Sequence, residues 1–312
     1  VELVMRAYAV GECMLELTGR LGNGARLAYG GDTLNTALYL SRLGLRTEYV
    51  TAVGTDPWSD DLVNAWADEG VGTGCVLRHP SRTVGLYAVR TDDAGERTFT
   101  YWRSESAARA LFQLAEVGRV EEALANADLL YLSGISLSLF DASERARLVA
   151  VAQSVRRRGG RVAFDPNYRP RGWSSPEAAR TAIDALAPFV STALPTFEDE
   201  AALRGDADPR ATARRWRDAG ADEVVVKLGP EGALVAWADG ERRLAPPSVV
   251  APVDTTGAGD SFNAGYLFCR WKGCAPPDAA AFGARLAGEV IRHPGAIVPR
   301  AATPHRCLED VA

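Results

Sequence analysis

The chain has 312 residues, 47% hydrophobic and 24% charged, with a net charge of −5 at pH 7. That length can bury a sizeable core, and the mild acidity excludes a nucleic-acid binder working through a basic face. Cys13, Cys75, Cys269, Cys274 and Cys307 are scattered without C-x-x-C spacing, which excludes a zinc ribbon or disulfide framework and predicts reduced thiols in a cytoplasmic protein.

No charged-then-apolar leader pattern opens the chain and no apolar run reaches membrane-spanning length, so no membrane partner is expected. Val1 to Val4, ahead of Met5, read as an extension outside the fold. Arg6 to Val10 is a first strand, and Cys13 to Ala28 reads as short strands around a turn at Gly22 to Gly24. Asp32 to Leu43 carries Leu34, Ala37, Leu38 and Leu43 close to helical period and stops at Gly44. Thr47 to Val53 is the next strand. Asp56-Pro57 follows as an N-cap with proline in the first helical position, opening a helix that ends at Gly70.

Val84 to Arg90 and Arg97 to Tyr101 read as a hairpin around a turn at Asp92 to Gly95. No helix is available to cover these strands, so 12–28 and 82–103 are expected to form a small separate sheet, a lid over a cleft. Further strands at Leu129–Leu132, Arg161–Phe164, Phe189–Leu194 and Val224–Lys227 alternate with helical patterns. Arg156-Arg157-Arg158 precedes Gly159-Gly160 at a helix end, where cations complement the dipole. The alternation predicts an α/β fold: a mostly parallel sheet with helices on both faces, in one domain spanning 1–312.

The strongest motif is Asp254-Thr-Thr-Gly-Ala-Gly-Asp260, running into the apolar Ser261 to Phe268. Gly257 and Gly259 leave backbone N–H groups open to an anion, and the helix starting here turns its positive end toward it. Asp260 falls in the first turn, so the segment describes an anion hole with a base beside it and points to phosphoryl transfer. Neither a P-loop nor a G-x-G-x-x-G fingerprint occurs, which disfavours a dinucleotide-dependent oxidoreductase.

A second element, Gly30-Gly31-Asp32-Thr33-Leu34-Asn35, would alone be a strand-to-helix turn. With the Asp254–Asp260 segment, Gly54-Thr-Asp56 and Lys227-Leu-Gly-Pro-Glu-Gly232 in the same order, the chain resembles the ribokinase-like (PfkB) carbohydrate kinases over nearly its whole length. The resemblance implies a three-layer ribokinase-like fold with a β-sheet lid, ATP and Mg²⁺ as cofactors, and Asp260 as catalytic base. It also implies that Gly257, Ala258 and Gly259 stabilise the transferred phosphoryl group. Sugar contacts would come from Gly30, Gly31, Asp32, Asn35 and Asp254. Nucleotide contacts would come from Lys227, Gly229, Gly232, Thr256, Gly257 and Gly259, with adenine near Ala284, Ala287 and Gly288.

Tyr101-Trp-Arg103 with Ser106-Ala-Ala108, Leu132-Ser-Gly-Ile135 and Phe164-Asp-Pro-Asn-Tyr-Arg-Pro-Arg-Gly-Trp173 are similar to segments of the 2-keto-3-deoxygluconate kinase branch. A sugar acid carries a carboxylate that a neutral sugar lacks, and an arginine fork matches it with two charge-assisted bonds. Arg103, at the edge of the lid hairpin, and Arg169, after the strand ending at Phe164, are the candidates, while Arg171 reads as a surface charge. The resemblance also brings Tyr87 and Tyr101 to the substrate's keto and carboxylate end.

Two features depart from the family. Thr196-Phe-Glu198-Asp199 stands where many relatives have Asn-x-x-Glu, leaving Glu198 and Asp199 as alternatives for orienting the metal, with helix N-terminal acids as the plainer account. Gly283 to Val290 lacks the asparagine often found near adenine. His79, His293 and His305 are too dispersed for a triad or a metal, and no protein metal ligand is assigned. The expectation is an ATP-dependent sugar-acid kinase acting on the 6-hydroxyl of 2-keto-3-deoxygluconate. Its alternatives are a kinase of a neutral ketose such as fructose, or a catalytically silent sugar-acid sensor. A homo-oligomer paired through the lid is expected, and monovalent-cation activation is left open.

Overall fold

The computed structural model describes residues 5–19, 24–91, 97–246 and 251–304. The expected turns at Gly22 to Gly24 and Asp92 to Gly95 lie wholly or mostly outside these residues, as do Val1 to Val4, His305 and Cys307. β1 (Arg6–Val10) leads into β2 (Met14–Thr18), β3 (Arg26–Gly30), α1 (Asp32–Arg42), β4 (Arg46–Val53) and α2 (Pro57–Asp68). Asp56 caps α2 as its sequence requires, with Oδ1 accepting the Ser59 N–H at 3.1 Å. β5 (Val76–Arg78), β6 (Gly85–Thr91) and β7 (Arg97–Trp102) follow. The alternation then resumes with α3 (Val117–Ala125), β8 (Leu129–Ser133), α4 (Gly134–Leu139), α5 (Ala142–Arg157), β9 (Arg161–Asp165) and α6 (Pro176–Leu186). β10 (Thr192–Ala193), α7 (Phe197–Arg204), α8 (Pro209–Asp218), β11 (Glu223–Lys227), β12 (Ala233–Trp237), β13 (Gly240–Leu244), α9 (Ala258–Trp271) and α10 (Pro276–Val290) complete the order.

Nine of these strands form one sheet in the order β13-β12-β11-β10-β9-β8-β1-β4-β5. It is parallel from β11 to β5, and β12 and β13 close one edge as antiparallel strands. Neighbouring residues of a strand serve opposite faces. Leu130 and Leu132 of β8 join the apolar layer under α5 and α6, while Leu129 and Tyr131 join the layer under α1, α9 and α10. Glycines bring α9 and α10 together, since a Cβ on Gly265 would stand 2.9 Å from Gly283 Cα.

The remaining strands form the small sheet expected from the sequence, in the order β3-β2-β6-β7. Its register sets Tyr87 opposite both Glu16 and Tyr101. The expected strand at Phe189–Leu194 is corrected to β10 at Thr192–Ala193: its start is taken up by a 3-10 turn at Ala187–Phe189, while Ser191 and Leu194 still bond to Val162 O and Phe164 O at 2.8 and 2.9 Å. The short β5 and the β12–β13 edge were not anticipated.

Candidate active site

The parallel strands end on one edge of the large sheet. Val10, Ser133, Asp165 and Lys227 close β1, β8, β9 and β11 there, and α1 and α9 begin beside them. In such a sheet the carboxyl ends of the strands form the ligand crevice. A surface depression of about 540 Å³ lined by Arg6, Tyr8, Arg119 and Asp128 lies at the opposite ends of β1 and β8. It takes no part in this site.

Gly257 is the N-cap of α9 and adopts the left-handed conformation, with φ +76 and ψ 2. A Cβ there would stand 2.8 Å from Ala296 Cβ, so the segment after α10 presses against the loop. Tyr39 of α1 holds that segment, its hydroxyl donating to Ala296 O at 2.7 Å. The first intrahelical bond of α9 runs from Ser261 N to Gly257 O at 2.9 Å, and Ala258 N reaches Thr255 O at 3.3 Å. The Gly259 and Asp260 N–H groups precede the first full helical bond and lack an intrahelical acceptor.

Asp254 shapes the loop from its other end. Its Oδ1 accepts from Thr256 N at 3.0 Å and Thr256 Oγ1 at 2.7 Å, and its Oδ2 accepts from Gly295 N at 3.0 Å. Both oxygens therefore brace the loop, as does Thr256 Oγ1.

Asp260 is half-buried, and its Oδ2 accepts from Asn35 Nδ2 at 2.8 Å. Burial, reinforced by the Asp32 and Asp165 carboxylates, pushes its carboxyl up to about 7. Asp32, in the first turn of α1, accepts from Thr33 N at 2.9 Å and from Asn167 Nδ2 at 2.9 Å, and burial raises its pKa too. Asn167 has φ 34 and is the positive-φ non-glycine among the described residues. A side chain in that region carries local strain and is found where a site demands it. Its N–H also reaches Asp165 Oδ1 at 3.1 Å, so it ties two of the three carboxylates together.

On the lid side, Arg103 donates through a guanidinium N–H to Glu12 Oε2, and Tyr87 donates its hydroxyl to Glu16. Glu12 is 2% exposed. Its Oε1, the Arg103 Nε and the Asn35 Oδ1 are buried without a partner. Buried polar groups are nearly always satisfied, so these three are acceptors and a donor with bonding capacity to spare on the lid side of the crevice. Gly30 sits among them: a Cβ there would lie 3.7 Å from Asn35 Oδ1 and 3.9 Å from the Tyr87 hydroxyl. A Cβ on Gly31 would clash with Glu12 O at 2.1 Å, which explains the second glycine. Tyr101 stacks on Phe99 with ring centroids 6.3 Å apart and lies 5.9 Å from the Tyr87 ring. Arg169 Nη1 bonds both oxygens of Asp199 at 3.0 Å, while Glu198 is exposed. Arg171 is exposed as well.

On the nucleotide side, Gly229 (φ 54) and Gly232 (φ 92) bracket a 3-10 turn after β11, and a Cβ on Gly232 would meet Leu244 O at 1.9 Å. Ala284 and Ala287 lie half-buried on α10, and Gly288 faces open space. Lys227, read from the sequence as a nucleotide contact, is 7% exposed and donates to Asp165 Oδ2 at 2.6 Å. His79 accepts the N–H groups of Ser81 and Arg82 in a loop, and His293 sits 3.3 Å from Glu289. Sequence reasoning missed Glu12, Glu16, Asp165, Asn167 and Asn263. The glutamates are lone acids among apolar residues, and Asp165 stood in the sequence only as part of the Phe164–Trp173 segment, with no role of its own.

The profile of the pfkB family carbohydrate kinases matches residues 6–303. The chain is 43% identical to the 2-dehydro-3-deoxygluconokinase of Dickeya dadantii (strain 3937), over 95% of this chain and 97% of that one. It matches the Escherichia coli K12 enzyme of the same name with the same identity and coverage. A solved PfkB protein from Polaromonas sp. JS666 superposes with a TM-score of 0.82 at 29% identity, covering 96% of this chain and 98% of that one. Aminoimidazole riboside kinase from Salmonella enterica, solved with its riboside and an ATP analogue, shares the fold with a TM-score of 0.79 at 23% identity, covering 96% of both chains.

Proposed function

The chain belongs to the pfkB family of carbohydrate kinases, and from that membership we propose that it transfers the γ-phosphoryl group of ATP to the 6-hydroxyl of 2-keto-3-deoxygluconate (2-dehydro-3-deoxygluconate). The observation that carries the reading is Asp260 at the head of α9, its carboxyl pushed up to about 7 beside free backbone N–H groups. A base poised near neutrality, next to a ready anion site, suits proton removal from a hydroxyl as it attacks a phosphoryl group. The substrate class is supported by the relatives at 43% identity and by Arg103 and Arg169 on the two sides of the crevice.

In this reading the 6-hydroxyl oxygen forms the new P–O bond while the bond from γ-phosphorus to the β,γ-bridging oxygen breaks. ADP leaves with that electron pair, and the hydroxyl proton goes to Asp260. Gly257, Ala258 and Gly259 orient the phosphoryl oxygens through backbone N–H groups. Asn35 Oδ1 and Asp32 receive sugar hydroxyls, and the Arg103 and Arg169 guanidiniums take the carboxylate, with Tyr87 and Tyr101 lining its approach. Among the described residues no group of three or more His, Cys, Asp or Glu could hold a metal. Mg²⁺, which would neutralise charge between the β- and γ-phosphates, fits as an ion held mostly by phosphate oxygens and water.

A neutral ketose is the second reading, and one observation favours it: both guanidiniums already carry an acid partner, Glu12 and Asp199. ATP consumption with 2-keto-3-deoxygluconate, its galactonate-derived epimer and fructose decides between them. Turnover of fructose alone would overturn the sugar-acid reading. Asp260→Asn is expected to lower kcat by about 10²–10⁴, and near-wild-type turnover would remove the base assignment.

The reading treats the chain as one kinase domain with the small sheet as its lid. Leu17, Leu27 and Trp102 are exposed on that sheet, and their register places them on the face away from Glu16 and Tyr87. Pairing of two chains through this face is the proposed oligomer, tested by sedimentation of the protein and of Trp102→Lys. A cytoplasmic location is supported by the free thiols of Cys13 and Cys75. Among the described residues no helix is long and apolar enough to cross a membrane.

A further inference from the structure

The proposed transfer step leaves one buried assembly unused. Lys227 Nζ donates to Asp165 Oδ2 at 2.6 Å and to Asn263 Oδ1 at 3.2 Å. Asn263, one turn into α9, donates through Nδ2 to the same Asp165 oxygen at 2.7 Å and to the Tyr131 hydroxyl at 3.0 Å. That hydroxyl lies 3.3 Å from Thr36 Oγ1, which in turn lies 3.2 Å from the Asp260 carbonyl oxygen. The ammonium also sits directly under the anion loop, 3.5 Å from where a Cβ on Gly259 would stand.

We propose that Lys227 and Asp165 are positioning residues for phosphoryl transfer, a buried ion pair that holds the head of α9 and sets the charge balance around the Asp260 carboxylate. The proposal rests on Asp260 being the base. Stability alone is a poor reason for such a pair, because taking both charges out of water offsets most of their attraction. Its location supplies a better one. The charged groups facing Asp260 are Asp32 from α1, Asp165 from β9 and Lys227 from β11, with the phenols of Tyr39 and Tyr131 nearby. Lys227 is the cation of this set. Without it, three carboxylates oppose one another and Asp260 holds its proton to higher pH. Without the Asp165 charge, Lys227 is unopposed and Asp260 ionises more readily. The two members of one pair thus act on the base with opposite signs, which a purely structural pair would not do.

The test is the pH profile of kcat/KM for the sugar acid at saturating ATP, measured for wild type, Lys227→Met, Asp165→Asn and the double variant. The acid limb is expected to move up by roughly one pH unit in Lys227→Met and down by a similar amount in Asp165→Asn. In the double variant it should return toward wild type, with KM for ATP within about threefold throughout. Limbs that stay in place, or move in the same direction, overturn the proposal. A rise of about tenfold or more in KM for ATP with an unmoved limb also overturns it, by making Lys227 a nucleotide ligand. Should Lys227→Met fail to fold, the near-isosteric Asp165→Asn decides alone through the sign of its shift. An inactive Asp260→Asn with unmoved limbs sinks this inference only, whereas an active Asp260→Asn sinks the assignment of the base.

Discussion

The Asn35 side-chain amide donates to Asp260 Oδ2 at 2.8 Å, and its own carbonyl oxygen Oδ1 is buried without a partner. One residue of α1 therefore orients the Asp260 carboxylate with one atom and, in the proposed reading, offers an acceptor to the sugar with another. Gly30, whose missing Cβ would lie 3.7 Å from that oxygen, leaves the space beside it open. The link from the glycine pair to Asp260 at the head of α9 is thus a direct contact between two helix starts brought together by the sheet.

Asn35→Asp replaces a donor to Asp260 with a fourth nearby carboxylate. Loss of the hydrogen bond and the added charge both raise the Asp260 pKa above its value of about 7. The acid limb of kcat/KM should move up by more than about one unit, leaving activity at pH 7 roughly fivefold or more below wild type and partly recovered at pH 9. A uniform loss at every pH would show that Asn35 acts on sugar binding alone.

Asp260 also makes a prediction about stability. Its folded-state pKa, about 7, lies above the ordinary 3.8, so the folded protein holds this proton more tightly than the unfolded chain. Between those values stability gained from the proton grows as pH falls, and above about 7 the ionised carboxylate is a burden on the fold. Asp260→Asn removes that burden. The variant should melt higher than wild type at pH 8, by roughly 2–4 °C per kcal/mol recovered, with the gap closing toward pH 5. A lower melting point at pH 8 would contradict the raised pKa.

Gly257→Ala tests the anion loop. At φ +76 an alanine is strained, and its Cβ would meet Ala296 Cβ at 2.8 Å and Ala296 Cα at 2.9 Å. The backbone of one segment must yield, at about 1–3 kcal/mol of strain, and the free N–H groups lose their aim. Turnover should fall at least tenfold, about 1.4 kcal/mol at the transition state, with little change in sugar binding. The measurement is kcat beside KM for the sugar.

The reaction type was legible because it rests on local chemistry. Two glycines and a carboxylate within one turn of a helix start, as at Gly257, Gly259 and Asp260, have few other uses. The parallel sheet was legible for the same reason, since apolar runs and helical periods are short-range signals. Partners set by tertiary contact were not. Lys227 follows the apolar Val224–Val226 and was expected to face a nucleotide, yet its counter-ion Asp165 comes from a strand 62 residues earlier. Asn167 gives no hint in sequence of its positive φ. Glu12 has no sequence signal, and its burial against Arg103 comes from the fold. The β12–β13 edge was missed because β13 reads Gly-Glu-Arg-Arg-Leu, polar on both faces and largely exposed.

Arg103 and Glu12 separate substrate recognition from fold stability. In the proposed reading Arg103→Ala removes a charge-assisted partner of the substrate carboxylate, worth about 1.5–3 kcal/mol, so KM for the sugar acid should rise by roughly 10–100-fold. Any turnover of a neutral ketose should change far less. The same substitution strands Glu12, a carboxylate only 2% exposed whose cation is gone and whose Oε1 already lacks a partner. An unpaired buried charge destabilises a fold by about 3–5 kcal/mol unless it takes up a proton. Arg103→Ala should therefore melt lower than wild type, and more so at pH 8 than at pH 5. Adding Glu12→Gln removes the stranded charge, and the double variant should regain most of the lost melting temperature while KM for the sugar acid stays high. Recovery of both together would mean that Arg103 serves only to neutralise Glu12, and the substrate carboxylate would then fall to Arg169.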